Sequence, residues 1–247
     1  HIILKADETQ HPLLRRPESM KKVALIVVSG DKGLCGAYNH NIVKSARKFV
    51  EERRGELETI KLYFVGRKAY EATRHIEGID RTLVADGWER PVSEVALELS
   101  KSLCESFEQG EIDEVFILYT VFKSAIQQSV VLDAVLPMQS ILTNVDADGN
   151  ACLGTEEQKT IEETPFIYEP SQTEILDALL PRAVMVHIQR SLLEGCASEN
   201  GARMTAMDNA SKNAVEMINR LTLQFNRARQ SAITTELIEV VSGAEAL

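Results

Sequence analysis

The sequence predicts an α/β domain with a mostly parallel sheet, followed by a very long C-terminal helix. Between Lys22 and Leu136, apolar β-branched runs of strand length alternate with stretches of helical spacing. From Ala202 to Gly243 the chain runs 42 residues with no proline and no internal glycine. Within that run Met204, Met207, Ser211, Ala214, Ile218, Leu221, Phe225, Ala228 and Ala232 recur at alternating three- and four-residue intervals, all apolar except Ser211. Such spacing is the seam of a coiled coil and implies a partner helix.

Lys22–Val28 is a continuous apolar run, as expected of a strand buried on both faces of a parallel sheet. Residues 29–36 (SGDKGLCG) form a turn. Tyr38–Arg54 then has helical spacing, with Ile42, Val43, Ala46, Phe49 and Val50 on one face and Asn39 or Asn41 available as a cap. Ile60–Val65 reads as a strand, Lys68–His75 as a short helix, Val92–Phe107 as an amphipathic helix and Glu114–Val121 as a strand. Ile126–Leu136 follows after a short break and fits an antiparallel hairpin at the sheet edge. Residues 139–165 lose all periodicity and read as a surface loop. Ser171 is a good N-cap, and Glu174 completes a capping box. Pro181 predicts a kink or a restart, and Gly195 and Gly201 weaken the helix locally. Helical sequence then continues to about Val241. The apolar positions drift beyond Ala232 to Ile233, Leu237 and Val240/Val241, closer to a straight helix. The expected organisation is a residual N-terminal segment (1–20), an α/β domain (21–170) carrying the 139–165 loop, and the long helix (171–247).

Composition is that of a globular protein, with 44% hydrophobic and 26% charged residues. A net charge of −10 argues against a general nucleic-acid binder. No apolar run approaches the roughly 18 residues that cross a bilayer, so membrane association is expected only through other subunits. Cys35, Cys104, Cys152 and Cys196 are scattered, which predicts unpaired thiols in a reducing compartment. The chain starts at His1 in mid-pattern and is expected to be a fragment lacking N-terminal sequence.

Candidate chemistry is sparse. Gly30, Gly33 and Gly36, directly after a buried strand, suggest a phosphate-cradling loop, but the spacing fits neither dinucleotide nor P-loop patterns, and Asp31 lies where phosphate would need free N–H groups. A structural turn using positive-φ glycines is the better reading. Asp146, Asp148, Gly149 and Asn150, with Glu157, hint at a calcium loop whose glycine is misplaced; a solvated acidic loop is expected. His1, His11, His40, His75 and His187 show no ligand spacing, so no metal is expected, and His187 reads as a packed or surface histidine. Cys35, near a helix N-terminus, reads as a small buried thiol. No catalytic constellation assembles from local sequence, and no cofactor is implied. Arg203, Arg220, Arg227 and Arg229, with Asn226, Gln230, Thr234, Thr235, Glu236 and Glu239, decorate the long helix away from the seam. Periodicity leaves open whether they are a solvated face or directional contacts to surrounding subunits.

Two stretches resolve that question by resemblance. Ser29–Asn39 (SGDKGLCGAYN) resembles the turn after the first strand in the gamma subunit of the F-type ATP synthase. Ala197–Met207 (ASENGARMTAM), Phe225–Leu237 (FNRARQSAITTEL) and Glu239–Gly243 (EVVSG) are similar to that family's C-terminal helix almost residue for residue, and Ile175–Pro181 also matches. The resemblance covers residues 20–247. It implies a Rossmann-like domain and a long helix forming half of an antiparallel coiled coil. It also implies a central-stalk rotor that couples proton flow to ATP synthesis and hydrolysis in the alpha/beta ring. The catalytic residues would belong to that ring and not to this chain. The implied partners are the alpha and beta subunits, epsilon and the c-subunit ring. Carried over by position, the beta-subunit contacts fall on Arg229, Gln230, Thr234 and Glu236, and the coupling arginine on Arg203. Gly30, Asp31, Gly33 and Gly36 are the structural turn.

Against the family's pattern, the sequence as read is expected to lack the N-terminal helix, the seam's natural partner. The 139–165 loop lacks the paired cysteines of the chloroplast redox switch. No thiol regulation is therefore expected, and the expected location is the cytoplasmic face of a bacterial inner membrane, held peripherally. The rival readings are a dinucleotide-binding Rossmann-like enzyme with a helical dimerisation arm and a structural coiled-coil adaptor.

Overall fold

A computed structural model describes residues 11–15, 20–76, 78–125, 127–138 and 171–245. The 139–165 loop, with its calcium-like pattern and Cys152, and His1 lie outside them. The chain divides into two compact units, residues 1–203 and 204–247.

The first unit holds five strands: β1 (Lys22–Val28), β2 (Thr59–Val65), β3 (Asp80–Ala85), β4 (Glu114–Phe122) and β5 (Gln128–Leu136). Their order is β3-β2-β1-β4-β5. The first four are mutually parallel, with Ile26 of β1 opposite Tyr63 of β2 and Ile117 of β4. β5 runs antiparallel to β4 at the edge, as the hairpin pattern predicts. The helices are α1 (Tyr38–Arg53), α2 (Arg67–Ala72), α3 (Val92–Glu108) and α4 (Gln172–Glu245). Strand β3 is the element left unassigned by sequence patterning. It is an edge strand of sequence DRTLVA, with only its last residue buried, so it carries too little apolar signal to stand out.

β1 is central, and Val23 to Val28 are all essentially buried, which is why its run is continuous and not alternating. One face of the sheet is covered by α1 through Tyr38, Ile42, Ala46, Phe49 and Val50. The other is covered by α3 and by the start of α4, whose Leu176, Leu180, Val184, Ile188 and Leu192 repeat every four residues and are fully buried. Each such side chain contributes about 1.5–3 kcal/mol on burial. That packing explains Pro181, where the helix neither stops nor restarts. The lost backbone hydrogen bond costs about 3 kcal/mol, and the flanking Leu180 and Val184 offset it. The Ser171 hydroxyl accepts from Glu174 N–H (3.3 Å), as the capping box requires. Leu13 and Leu14, on a 3-10 turn at Pro12–Leu14, complete this layer. The turn is tied to α4 by His11 Nε2, 3.3 Å from the Asp177 carboxylate.

The second unit, described by itself, is the remainder of α4. From 204 to 245 it is a single helix roughly 60 Å long at 1.5 Å per residue. Its seam is bare: Met204, Ile218, Leu221 and Phe225 are each more than half exposed. So are Val215, Met217, Leu223, Leu237, Ile238, Val240 and Val241. No helix among the described residues is long and apolar enough to cross a membrane.

Candidate functional site

The turn after β1 is built from its own side chains. Asn39 does not cap α1, whose N-cap is Ala37 with no side-chain bond. Instead its Oδ1 accepts from Gly30 N–H (3.0 Å), and its Nδ2 donates to Lys32 O (3.2 Å) and Cys35 Sγ (3.1 Å). Asp31 accepts from Arg67 N–H (2.8 Å) at the start of α2, and its carboxylate lies 3.7 Å from Arg67 Nε. The glycines play three different parts, which corrects the expectation of positive φ throughout. Only Gly36 is left-handed (58°), and its neighbour in that region is Leu34 (65°). Gly33 faces open space. Gly30 is required by close approach, since a Cβ there would stand 2.5 Å from Glu199 Oε1. With the Gly30 N–H taken by Asn39 and the Asp31 carboxylate beside it, the loop does not have the arrangement of a phosphate cradle.

In an open α/β sheet, ligands bind beyond the carboxyl ends of the strands, where the strand order reverses. Here that point lies between β1 and β4, and α4 crosses it. A Cβ on Gly195 would stand 2.7 Å from Val28 Cγ1, at the end of β1. The Ser198 hydroxyl donates to Thr120 O on β4 (2.9 Å). A Cβ on Gly201 would stand 2.8 Å from Phe122 Cε2, the last residue of β4. Gly195 and Gly201, read from sequence as local weak points, are therefore the positions that let the helix seat against the strand ends. The crevice a dinucleotide would occupy is filled by the chain's own helix.

Glu199 is the centre of this crossing. It is only 3% exposed, yet it carries a carboxylate. Its Oε2 accepts from Trp88 Nε1 (2.6 Å), in the loop between β3 and α3, and its Oε1 pairs with the Arg203 guanidinium one turn on. The hydrogen bond to Glu199 raises the arginine's pKa above its usual value. Beside them Tyr38 donates to Gly195 O (3.1 Å), and burial, followed by the Glu199 charge, pushes the phenol far above its ordinary range. A second polar cluster lies against β4 and β5. There Tyr119 donates to Asp133 (2.8 Å), and His187 is packed with Nε2 buried and unpartnered; burial lowers its pKa. Cys35, Cys104 and Cys196 are free thiols, and burial pushes Cys104 up to about 12. Among the described residues no three His, Cys, Asp or Glu side chains are grouped as for a metal ion.

The structure therefore separates the residues singled out in sequence. Arg203 belongs to the α/β unit and is bound to a buried carboxylate. Arg229, Gln230, Thr234 and Glu236 lie on the second unit, all exposed. The Thr234 hydroxyl donates to Gln230 O one turn back (2.8 Å).

A family model described as ATP synthase matches residues 1–247. The ATP synthase gamma chain of Geobacter metallireducens is 42% identical over 243 residues, covering 98% of this chain and 78% of that one. The gamma chain of Bdellovibrio bacteriovorus is 38% identical over 248 residues, covering 99% and 81%. The chain belongs to the ATP synthase gamma-chain family. It is a component of the ATP synthase complex, and its function is that of the central-stalk rotor subunit. Two solved structures share the fold. A chain of the Euglena gracilis mitochondrial ATP synthase (OSCP/F1/c-ring, rotational state 3) superposes with a TM-score of 0.62 at 18% identity, covering 93% of this chain and 73% of that one. A chain of the Tetrahymena thermophila mitochondrial ATP synthase central stalk/c-ring gives 0.59 at 20%, covering 85% and 84%.

Glu199, Trp88, Tyr38 and Ser198 were not singled out by sequence reasoning. A signal was present: Gly195, Ser198, Gly201 and Ala202 put small side chains along one side of the helix, and Glu199 and Arg203 stand at the i,i+4 spacing of an ion pair.

Proposed function

We propose that the second unit is the surface through which this gamma-family rotor meets the alpha and beta subunits, with Arg229, Gln230, Thr234 and Glu236 as its contacts to beta. The exposed state of these side chains and of the apolar stripe from Met204 to Val241 carries the reading. A single helix with this much bare apolar surface needs partners. The stripe serves the coiled coil, and the polar groups give directional contacts that change with rotor angle. The α/β unit faces epsilon and the c-subunit ring, and the solved assemblies that share its fold, one a central stalk with c-ring and one an F1 with c-ring, support that placement. The chain contributes no catalytic residue; turnover belongs to the alpha/beta ring. Its site is the cytoplasmic face of a bacterial membrane, held peripherally, in keeping with bacterial relatives at about 40% identity.

The test is reconstitution of the full-length chain with alpha and beta, carrying Arg229→Ala or Gln230→Ala. A charge-assisted contact contributes about 1.5–3 kcal/mol. Each substitution is therefore expected to lower ATP hydrolysis about tenfold or more if the contact is made in the rate-limiting state. Wild-type turnover in both variants would reject the contact assignment.

A further inference from the structure

We infer that Glu199 is a positioning residue that fastens α4 into the α/β unit, so that load on the helix is passed to the sheet and not lost as slip. The inference rests on the rotor reading above. Three elements converge on this one carboxylate. The turn after β1 closes over it at Gly30, where an added Cβ would stand 2.5 Å from the carboxylate and displace it. The β3–α3 loop donates the Trp88 indole N–H at 2.6 Å. Arg203, four residues along the same helix, supplies the neutralising charge. Around it the helix is also tied to the sheet layer by Tyr38 to Gly195 O and Ser198 to Thr120 O, both between uncharged groups. A buried carboxylate is expensive unless fully paired, and hydrophobic packing alone would hold a helix at this edge. An aliphatic contact can slide along its groove, whereas a paired carboxylate is held in one register, because any shift leaves a buried charge unpartnered. Residues 195–203 are the last of the α/β unit, so torque that the later helix carries along its own backbone enters the unit through this segment. The register-fixing charge sits where the load arrives.

Two readouts on the full-length chain separate this from a merely structural role. The first is amide hydrogen exchange of residues 195–203 in Glu199→Gln and Trp88→Phe. Loss of one charge-assisted hydrogen bond is expected to speed exchange there by about tenfold to a hundredfold, with the β1 and β4 amides unaffected. Trp88 is the chain's only tryptophan, so its emission reports the Glu199→Gln change directly. The second is coupling in the assembled, membrane-bound complex. ATP synthesised relative to ATP hydrolysed is expected to fall several-fold in both variants while hydrolysis continues, and Arg203→Lys, which keeps the counter-charge, is expected to retain most of it. Unchanged exchange in Glu199→Gln would overturn the proposal, as would faster exchange with wild-type coupling. Should Glu199→Gln fail to fold, Trp88→Phe, which spares the ion pair, decides alone. Failure of the wild-type chain to assemble would overturn the rotor reading and the coupling claim with it. The exchange result would still decide whether Glu199 holds the helix.

Discussion

Gly195 gives the sharpest test of how α4 is seated. In an exposed helix interior, glycine to alanine gains about 1 kcal/mol of helix propensity. At Gly195 the new methyl would stand 2.7 Å from Val28 Cγ1 and 3.8 Å from the Trp88 ring. Val28 is fully buried in the central strand and cannot move aside, so overpacking of about 1–3 kcal/mol opposes the gain. Gly195→Ala is thus expected to be destabilising by about 1 kcal/mol net, and Gly195→Leu by about 3 kcal/mol. Gly243→Ala is the control, since nothing lies within 4 Å of its Cβ position. Gly201→Ala should fall between them, because its neighbour, Phe122, is partly exposed and able to swing. Urea denaturation followed by Trp88 emission measures all four. A rise in midpoint for Gly195→Ala would refute the claim that the helix is seated tightly on β1.

Other expectations follow from the same packing and electrostatics. Leu180→Ala, in the row that carries α4 through Pro181, should cost about 2–5 kcal/mol and fray the helix start, seen as faster exchange at 172–184. Burial holds His187 below its usual 6.5, against a partly opposing attraction from Asp133. Between the two values the unfolded chain binds the proton more readily, so stability is intact above about 6.5 and is lost as pH falls toward the folded value. His187→Gln should flatten that acid limb of a stability–pH curve. Cys104, with its thiol pushed up to about 12, should resist alkylation at pH 8 in the native chain and react after unfolding, as read by mass spectrometry.

The legible part of this fold was the part driven by burial. β1, β4 and the α1 and α3 faces repeat apolar residues at strand or helix spacing, and each lies where that spacing places it. β3 escaped because an edge strand of Asp80-Arg81-Thr82 composition needs no apolar pattern. At Pro181 the helix does not restart, and Gly195 and Gly201 have a packing role that propensity alone does not show, for a common reason. Local propensity scores a residue against water, while these three sit against a wall that either tolerates a lost hydrogen bond or demands a missing Cβ. The candidate contact residues come from the resemblance alone. An arginine at 203 and one at 229 look alike in periodicity, yet one closes a buried ion pair and the other stands exposed. What distinguishes them is Trp88 and Gly30, more than a hundred residues away in sequence.

Rotation of the reconstituted complex bears most directly on the whole account. The full-length chain is assembled with alpha and beta, a probe is fixed to the α/β unit, and ATP is added. The account predicts that the chain copurifies with the ring and that the probe turns in one direction while ATP is consumed. A ring that hydrolyses ATP with the probe stationary, or a chain that does not copurify, would contradict it.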